Sequence, residues 1–304
     1  MTRRLLALAF VLTLTPGVAR AAACCMSATS FGVGRLLVWE DFATGVTLGH
    51  TRVVGQWDPS GTLRLLGSDF SDGISRVEPW AIVRLAERVQ VQARLPLLLN
   101  DRAAGSLAQT AGGLGDVGAA VRVEAIMLGE YDRLPSLGFT VGALLPTGRR
   151  AEQTLGPLGA GVTGRGAWGA SFALESEYTW LPWFLRLDAG VTLFAPFKRT
   201  DTQAVQGFGP VVQAALSSGR ELVADKLVLA VSAQVEFEGA LRMDGEVQPA
   251  SSGFVPSLVT SLSWRPAPHW TLVTSVNTSV WPSGVAFNRD ARVGLVIGGR
   301  YGHF

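Results

Sequence analysis

The sequence contains few charged residues. Asp, Glu, Lys and Arg make up 16% of its 304 residues, whereas soluble domains usually carry about 25%. Its net charge of +2 is too small to favour nucleic acid as a partner. Hydrophobic residues reach 48%. The composition therefore disfavours an ordinary soluble domain and a nucleic-acid-binding protein.

Cysteine and histidine are also scarce. Cys24 and Cys25 are adjacent, so they cannot join distant parts of the chain, and no disulfide framework is expected. Lipidation of either cysteine, or Cu(I) binding by these thiols with Met26, stays open. An N-terminus without a special role is the favoured interpretation of this cluster.

No catalytic or metal-binding pattern appears in the sequence. The three histidines, His50, His269 and His303, are scattered, and no metal-ligand spacing occurs. The glycine-rich segment 163–166 lacks the Lys-Ser/Thr that a phosphate-binding loop needs. The sequence therefore predicts no cofactor, no metal and no enzyme activity.

Only one long apolar run is present, and it lies at the N-terminus. Arg3 and Arg4 precede the run Leu5 to Thr15, and the small residues Ala19 and Ala21 follow. This order predicts a signal peptide over residues 1–21. The run is shorter than the roughly 20 residues that a transmembrane helix needs, so any later membrane crossing must use strands.

The segment 168–193 shows the clearest pattern in the chain. Large apolar residues alternate with small, hydroxylated or charged ones up to Trp180, and again after Trp183. A period of two predicts strands with two chemically different faces. Each run is about twice the length of a usual strand in a soluble sheet.

The same alternation predicts twelve strands in the whole chain. Their expected ranges are 43–55, 77–85, 89–97, 116–127, 136–145, 168–180, 183–193, 210–218, 226–238, 256–264, 270–281 and 291–304. The intervening links alternate between long and short, which is typical of outer-membrane barrels with short periplasmic turns and long external loops. The long links at 98–115, 146–165 and 239–255 are expected to gate the barrel.

A soluble β-sandwich is the competing interpretation, because its strands alternate as well. Strand length and charges of both signs in mid-strand favour a membrane barrel. In a bilayer the sheet must close, because an open edge leaves backbone groups unpaired in hydrocarbon. We therefore predict an all-β protein, a closed antiparallel transmembrane β-barrel of about twelve strands over residues 41–304, with a periplasmic segment over 22–40.

Polar residues of one parity are expected to line the lumen. These are Arg94, Arg122, Glu124, Glu175, Glu177, Arg186, Asp188, Gln234, Glu236 and Glu238. They would either line a passage or form salt bridges that fill the interior. Outside, an interfacial aromatic girdle is expected at Trp168, Trp180, Trp183, Trp264 and Trp270.

Two stretches carry a family resemblance. The last segment, ARVGLVIGGRYGHF, resembles the terminal strand of bacterial outer-membrane proteins, whose final Phe, here Phe304, is part of the signal read by the barrel-insertion machinery. Phe304 is out of phase with the apolar residues of its strand, and a bulge near Gly298-Gly299 would bring it into phase. The segments GLGD, LPTG and TGRGAW between residues 113 and 168 are similar to barrels of the MetA-pathway phenol-degradation and transporter family.

The resemblance implies an outer-membrane barrel in a Gram-negative bacterium, with membrane lipid, the insertion machinery and a small organic solute as its partners. We expect a passive channel for small, aromatic or hydrophobic molecules. The alternative is a structural or adhesive protein with a closed, salt-bridged lumen.

Overall fold

The computed structural model describes residues 34–304. The signal peptide predicted for residues 1–21 lies outside this range, as do Cys24 and Cys25. No helix in the described range is long and apolar enough to cross a membrane.

Nineteen strands and one short 3₁₀ helix, Ala151–Gln153, make up the described chain. The strands are β1 (Phe42–Trp57), β2 (Leu63–Leu65), β3 (Phe70–Ala86), β4 (Val89–Arg94), β5 (Leu97–Ala104), β6 (Leu107–Leu114), β7 (Val117–Ile126), β8 (Ser136–Leu145), β9 (Gly169–Trp180), β10 (Trp183–Phe194), β11 (Phe197–Lys198), β12 (Val205–Gly207), β13 (Val211–Val223), β14 (Leu227–Glu238), β15 (Arg242–Met243), β16 (Glu246–Val247), β17 (Gly253–Ala267), β18 (Trp270–Thr278) and β19 (Asp290–His303).

Fifteen of these strands form one antiparallel sheet that closes on itself, because β1 pairs with β19 on one side and with β3 on the other. Strands β5 and β6 continue β4 and β7 beyond short breaks at Leu95-Pro96 and Gly115-Asp116, and β2 flanks β1. The closed ring therefore has twelve strand positions, as the alternation predicts.

The two ends of the barrel differ in their connections. Tight turns join β3 to β4, β9 to β10, β13 to β14 and β17 to β18 at one end, which we call the turn end. The opposite end, the loop end, carries the long connections, including a separate four-stranded sheet of β11, β12, β15 and β16. Outer-membrane barrels place their short turns in the periplasm.

Burial in this barrel is the reverse of that in a soluble protein. On the outer face Phe172, Leu187 and Phe237 are 46%, 48% and 39% exposed. On the inner face Arg186 and Asp188 are only 2% and 0% exposed. An apolar outer surface around a polar interior matches a barrel in lipid and excludes the sandwich, whose apolar face would be its core.

Two sequence predictions are wrong in detail. The segment 98–115 is not a loop: β5 and β6 form a hairpin that extends the wall at the loop end. Its Gly- and Ala-rich outer half conceals the alternation. The bulge expected near Gly298-Gly299 is also absent, since β19 pairs without a shift there with both neighbours. Phe304 instead follows the last strand and stacks on His269, with ring centroids 4.5 Å apart.

Candidate functional site in the barrel interior

An interior charge cluster lies on the wall formed by β7 to β10. Its members are Arg122, Glu124, Glu175, Arg186 and Asp188, all less than a tenth exposed. Alternation turns them inward, and the registers bring them to neighbouring levels: Asp188 lies opposite Glu175, and Glu124 lies opposite Gly138. Local strand geometry therefore assembles the cluster.

Within the cluster, each charge contacts one of opposite sign. Arg186 donates to Asp188 at 2.8 to 3.0 Å and to Glu175 at 2.9 Å. Arg122 also donates to Glu175, and its Nε lies 3.5 Å from Glu124. Because a single buried charge is costly, this pairing makes the cluster a structural unit of the wall.

Glycines in the barrel wall make room for large side chains in the interior. A Cβ added to Gly138 would lie 2.5 Å from the Arg122 guanidinium, and one added to Gly45 would lie 2.6 Å from the Trp80 ring. Glycine therefore lets both large groups lie against the wall. Trp80 packs with Ile82, Ala43 and Leu36 in a small apolar cluster.

The N-terminal segment, residues 34–41, crosses the interior at the turn end. Arg35, Leu36, Leu37 and Glu40 are all buried. Arg35 donates to Glu177 at 3.0 Å and to Ser136 at 3.4 Å. The segment is thereby joined to β9 and β8, beside the interior charge cluster.

The same segment also contacts β3, β4 and β19, of which β19 lies opposite β9 in the ring. Arg84 donates to the carbonyl groups of Leu37 and Glu40 at 2.6 and 2.9 Å. Gln90 accepts from the Leu36 amide at 3.0 Å, and Arg300 forms an ion pair with Glu40. With contacts to five strands, the segment bridges the lumen.

The N-terminal segment and the interior charge cluster lie together near the turn end, and we call them the floor. Charged side chains of the interior are more exposed to solvent toward the loop end, where those of Arg76 on β3 and Arg292 on β19 are 43% and 47% exposed. We call the lumen between this floor and the loop end the vestibule. Below the floor a cavity of about 230 Å³ lies between residues 35–39, Glu124 and Leu128.

The three glycine-rich motifs meet at the loop end. Asp116 accepts backbone hydrogen bonds from Gly148, Arg165 and Gly166 at 2.9, 2.7 and 3.3 Å. A Cβ on Gly164 would lie 2.6 Å from the Asp116 carboxylate. We call this arrangement the Asp116 latch; it ties the loop 146–168 to the barrel wall.

The predicted lumen residues all face the interior, but at different depths. Arg122, Glu124, Glu175, Glu177, Arg186 and Asp188 are buried in the floor, and Arg94, Gln234, Glu236 and Glu238 are half-buried. Arg186 pairs with Glu175, whereas Glu177 binds Arg35. Their role in lining a passage stays a prediction.

The predicted girdle residues are exposed on the outer face. Trp180, Trp183, Trp264 and Trp270 lie beside turns at the turn end, and Trp168 lies at the loop end. Arg220 covers the Trp183 ring at 5.2 Å, and Tyr301 packs edge-on against Trp270. These positions match those expected of an interfacial belt, which stays a prediction.

Sequence reasoning missed the floor residues contributed by the N-terminus. Arg35 and Glu40 lie before the first strand, where no alternation marks them. Their partners Arg84 and Arg300 do have the interior parity of β3 and β19. These two inward arginines were the sequence signal that could have indicated a charged partner inside the barrel. In residues 34–304 no cluster of His, Cys, Asp and Glu has the arrangement of a metal site.

Comparison with known proteins supports the fold. No protein-family model matches the chain, and no curated protein matches its sequence. Among solved structures, the COG4313 outer membrane channel from Pseudomonas putida F1 is similar, with a TM-score of 0.73 and 13% identity over 91% of this chain and 100% of that one.

The β domain of the Bordetella autotransporter BrkA is similar with a TM-score of 0.51 and 14% identity, over 87% of this chain and 100% of that one. At such identities the likeness concerns the fold alone. It confirms the predicted resemblance to bacterial outer-membrane barrels. The chain has the fold of a twelve-stranded outer-membrane β-barrel.

Proposed function

We propose that this protein is a passive channel for small organic molecules in the outer membrane of a Gram-negative bacterium, and that the structure is its closed state. The carrying observation is the N-terminal segment, which bridges the lumen through bonds to five strands. The turn end then faces the periplasm, and the vestibule faces outward.

Opening requires the N-terminal segment to leave the lumen. The interior charge cluster belongs to one wall and is held by strand registers. The N-terminal segment has backbone bonds to the wall at Asp41, next to β1. Before Asp41 it is held by side-chain bonds and by Leu36 packing on Trp80. Its release would free space between the two walls without breaking any strand pairing. Solute would then pass by diffusion beside the polar wall.

The nature of the solute follows from the mixed interior. The wall offers Trp80, Ile82 and Phe184 as well as charged groups, so it suits small molecules with an apolar body and a polar group. This agrees with the expectation of aromatic or hydrophobic solutes. The COG4313 channel is described as an outer membrane channel, which supports transport rather than catalysis.

Liposome swelling tests the proposal. The Arg35→Gln/Glu40→Gln variant removes both ion pairs of the segment and should increase the swelling rate in benzyl alcohol or small sugars severalfold. Arg64→Gln is the matched control, because Arg64 pairs with Asp58 at the loop end and is 75% exposed. A correctly inserted double variant that stays as impermeable as the parent would contradict the proposal and favour a structural or adhesive protein.

A further inference from the structure

A group of three phenylalanines, the phenylalanine layer, lies at the loop end of the vestibule. Phe194 ends β10, Phe197 is in β11, and Phe208 follows β12. The ring centroids of Phe194 and Phe197 each lie 5.9 Å from that of Phe208. Phe194 faces inward because it has the same parity on β10 as Arg186 and Asp188. The layer is therefore an apolar site beside a polar vestibule.

Two arginines of the loop 146–168 cover these rings. The Arg150 guanidinium lies 4.0 Å from the Phe197 ring centre, and that of Arg165 lies 4.6 and 5.0 Å from the centres of Phe194 and Phe208. A guanidinium within about 6 Å of a ring face is attracted to its π electrons. The phenylalanine layer thus holds two guanidinium groups of the chain itself.

Three guanidinium groups at this position, those of Arg150, Arg165 and Arg289, form ion pairs with only two carboxylates. Glu238 accepts from Arg165 at 2.6 Å and also pairs with Arg289, so one carboxylate serves two guanidinium groups. The carboxylate nearest to Arg150 is Glu152, at 3.7 Å, which is long for a charge-assisted hydrogen bond. A further carboxylate would therefore find donors here.

The backbone around these arginines is fixed. The Asp116 latch holds the amides of Arg165 and Gly166. Gly166 has φ +59°, and its Cβ would collide with the Arg150 side chain, whose Nε donates to the Gly166 carbonyl at 2.7 Å. Arg150 and Arg165 are thus positioned before any solute arrives.

We propose that the phenylalanine layer with Arg150, Arg165 and Arg289 is an entrance site for planar aromatic anions, of which benzoate is the simplest probe. The ring would pack against the phenylalanines, and the carboxylate would pair with a guanidinium. A neutral aromatic molecule lacks the ion pair, and acetate lacks the ring. This inference deepens the proposed channel function and rests on it for its biological role.

Equilibrium binding to the full-length protein in detergent tests the site. Calorimetry with benzoate, benzyl alcohol and acetate should show benzoate binding about tenfold more tightly than either of the others. Phe208→Ala and Arg165→Gln should each weaken benzoate binding about fivefold to tenfold. Phe70→Ala is the matched control, because Phe70 is an exposed phenylalanine at the start of β3.

Equal affinity for benzoate and benzyl alcohol would overturn the inference, as would unchanged benzoate affinity in Phe208→Ala. If that variant fails to fold, Phe208→Leu keeps the apolar volume without the ring and should still weaken binding. The measurement does not depend on channel opening. Benzoate binding without swelling in the Arg35→Gln/Glu40→Gln variant would refute the channel, whereas swelling of that variant without preferential binding of benzoate would refute only the entrance site.

Discussion

Replacing Arg186 by Met tests whether the floor of the vestibule excludes water from its ion pairs. Arg186 is 2% exposed and contacts Asp188, 0% exposed, and Glu175. The substitution keeps the length of the side chain but leaves Asp188 buried without its main cation. Breaking a buried pair from one side costs about 3 to 5 kcal/mol, whereas a hydrated pair is worth about 0 to 1 kcal/mol. We expect the free energy of unfolding to fall by about 3 to 5 kcal/mol.

Urea unfolding in lipid vesicles, followed by tryptophan fluorescence, measures this loss. Arg76→Gln is the matched control: Arg76 also faces the lumen and pairs with Glu78, but its side chain is 43% exposed, so its loss should be at most about 1 kcal/mol. Combining Arg186→Met with Asp188→Asn should recover about 1 to 3 kcal/mol relative to additivity. A loss under about 1 kcal/mol for Arg186→Met would show that water reaches the cluster, and the closed floor would be refuted.

Two further substitutions test close contacts. Gly138→Ala should destabilise the barrel by about 1 to 3 kcal/mol, because the new methyl group would collide with the Arg122 guanidinium. Gly49→Ala is the control: the nearest atom to its new methyl group would be 3.7 Å away, so its stability should stay within about 0.5 kcal/mol of the parent. Equal losses in the two variants would contradict this packing. Asp116→Asn weakens the latch, so trypsin should cleave the folded protein after Arg149 several times faster than the parent; unchanged cleavage would mean that other contacts hold the loop.

The strands were predictable because lipid and lumen impose opposite demands on alternate residues. That constraint holds along β9, β10 and β14, where most residues of the outward parity are large and apolar. It fails in the β5–β6 extension beyond Leu97: Ala103 and Ala108, a cross-strand pair there, are both small. Alternation arises because lipid and lumen are different environments. The pattern weakens where the residues on the two faces of the sheet differ less in size and polarity.

The candidate site was predictable only in part. Alternation identified the wall residues such as Arg122 and Asp188, but it cannot tell whether paired charges line a pore or close it. The proposed closure depends on Arg35 and Glu40, which lie outside any strand. Their partners Glu177 and Arg300 are far away in sequence, and such contacts follow from the closed ring rather than from a local pattern.

Planar-bilayer conductance tests the central claim most directly. The measurement compares the full-length protein with a variant in which residues 34–40 are replaced by a Gly/Ser sequence of equal length. The strands stay unchanged, and the bonds from Arg35, Leu36 and Glu40 to the walls disappear. We predict a mostly silent parent with rare openings and a variant with stable conductance steps. Equal conductance in both proteins, whether silent or open, would contradict a channel closed by its N-terminal segment.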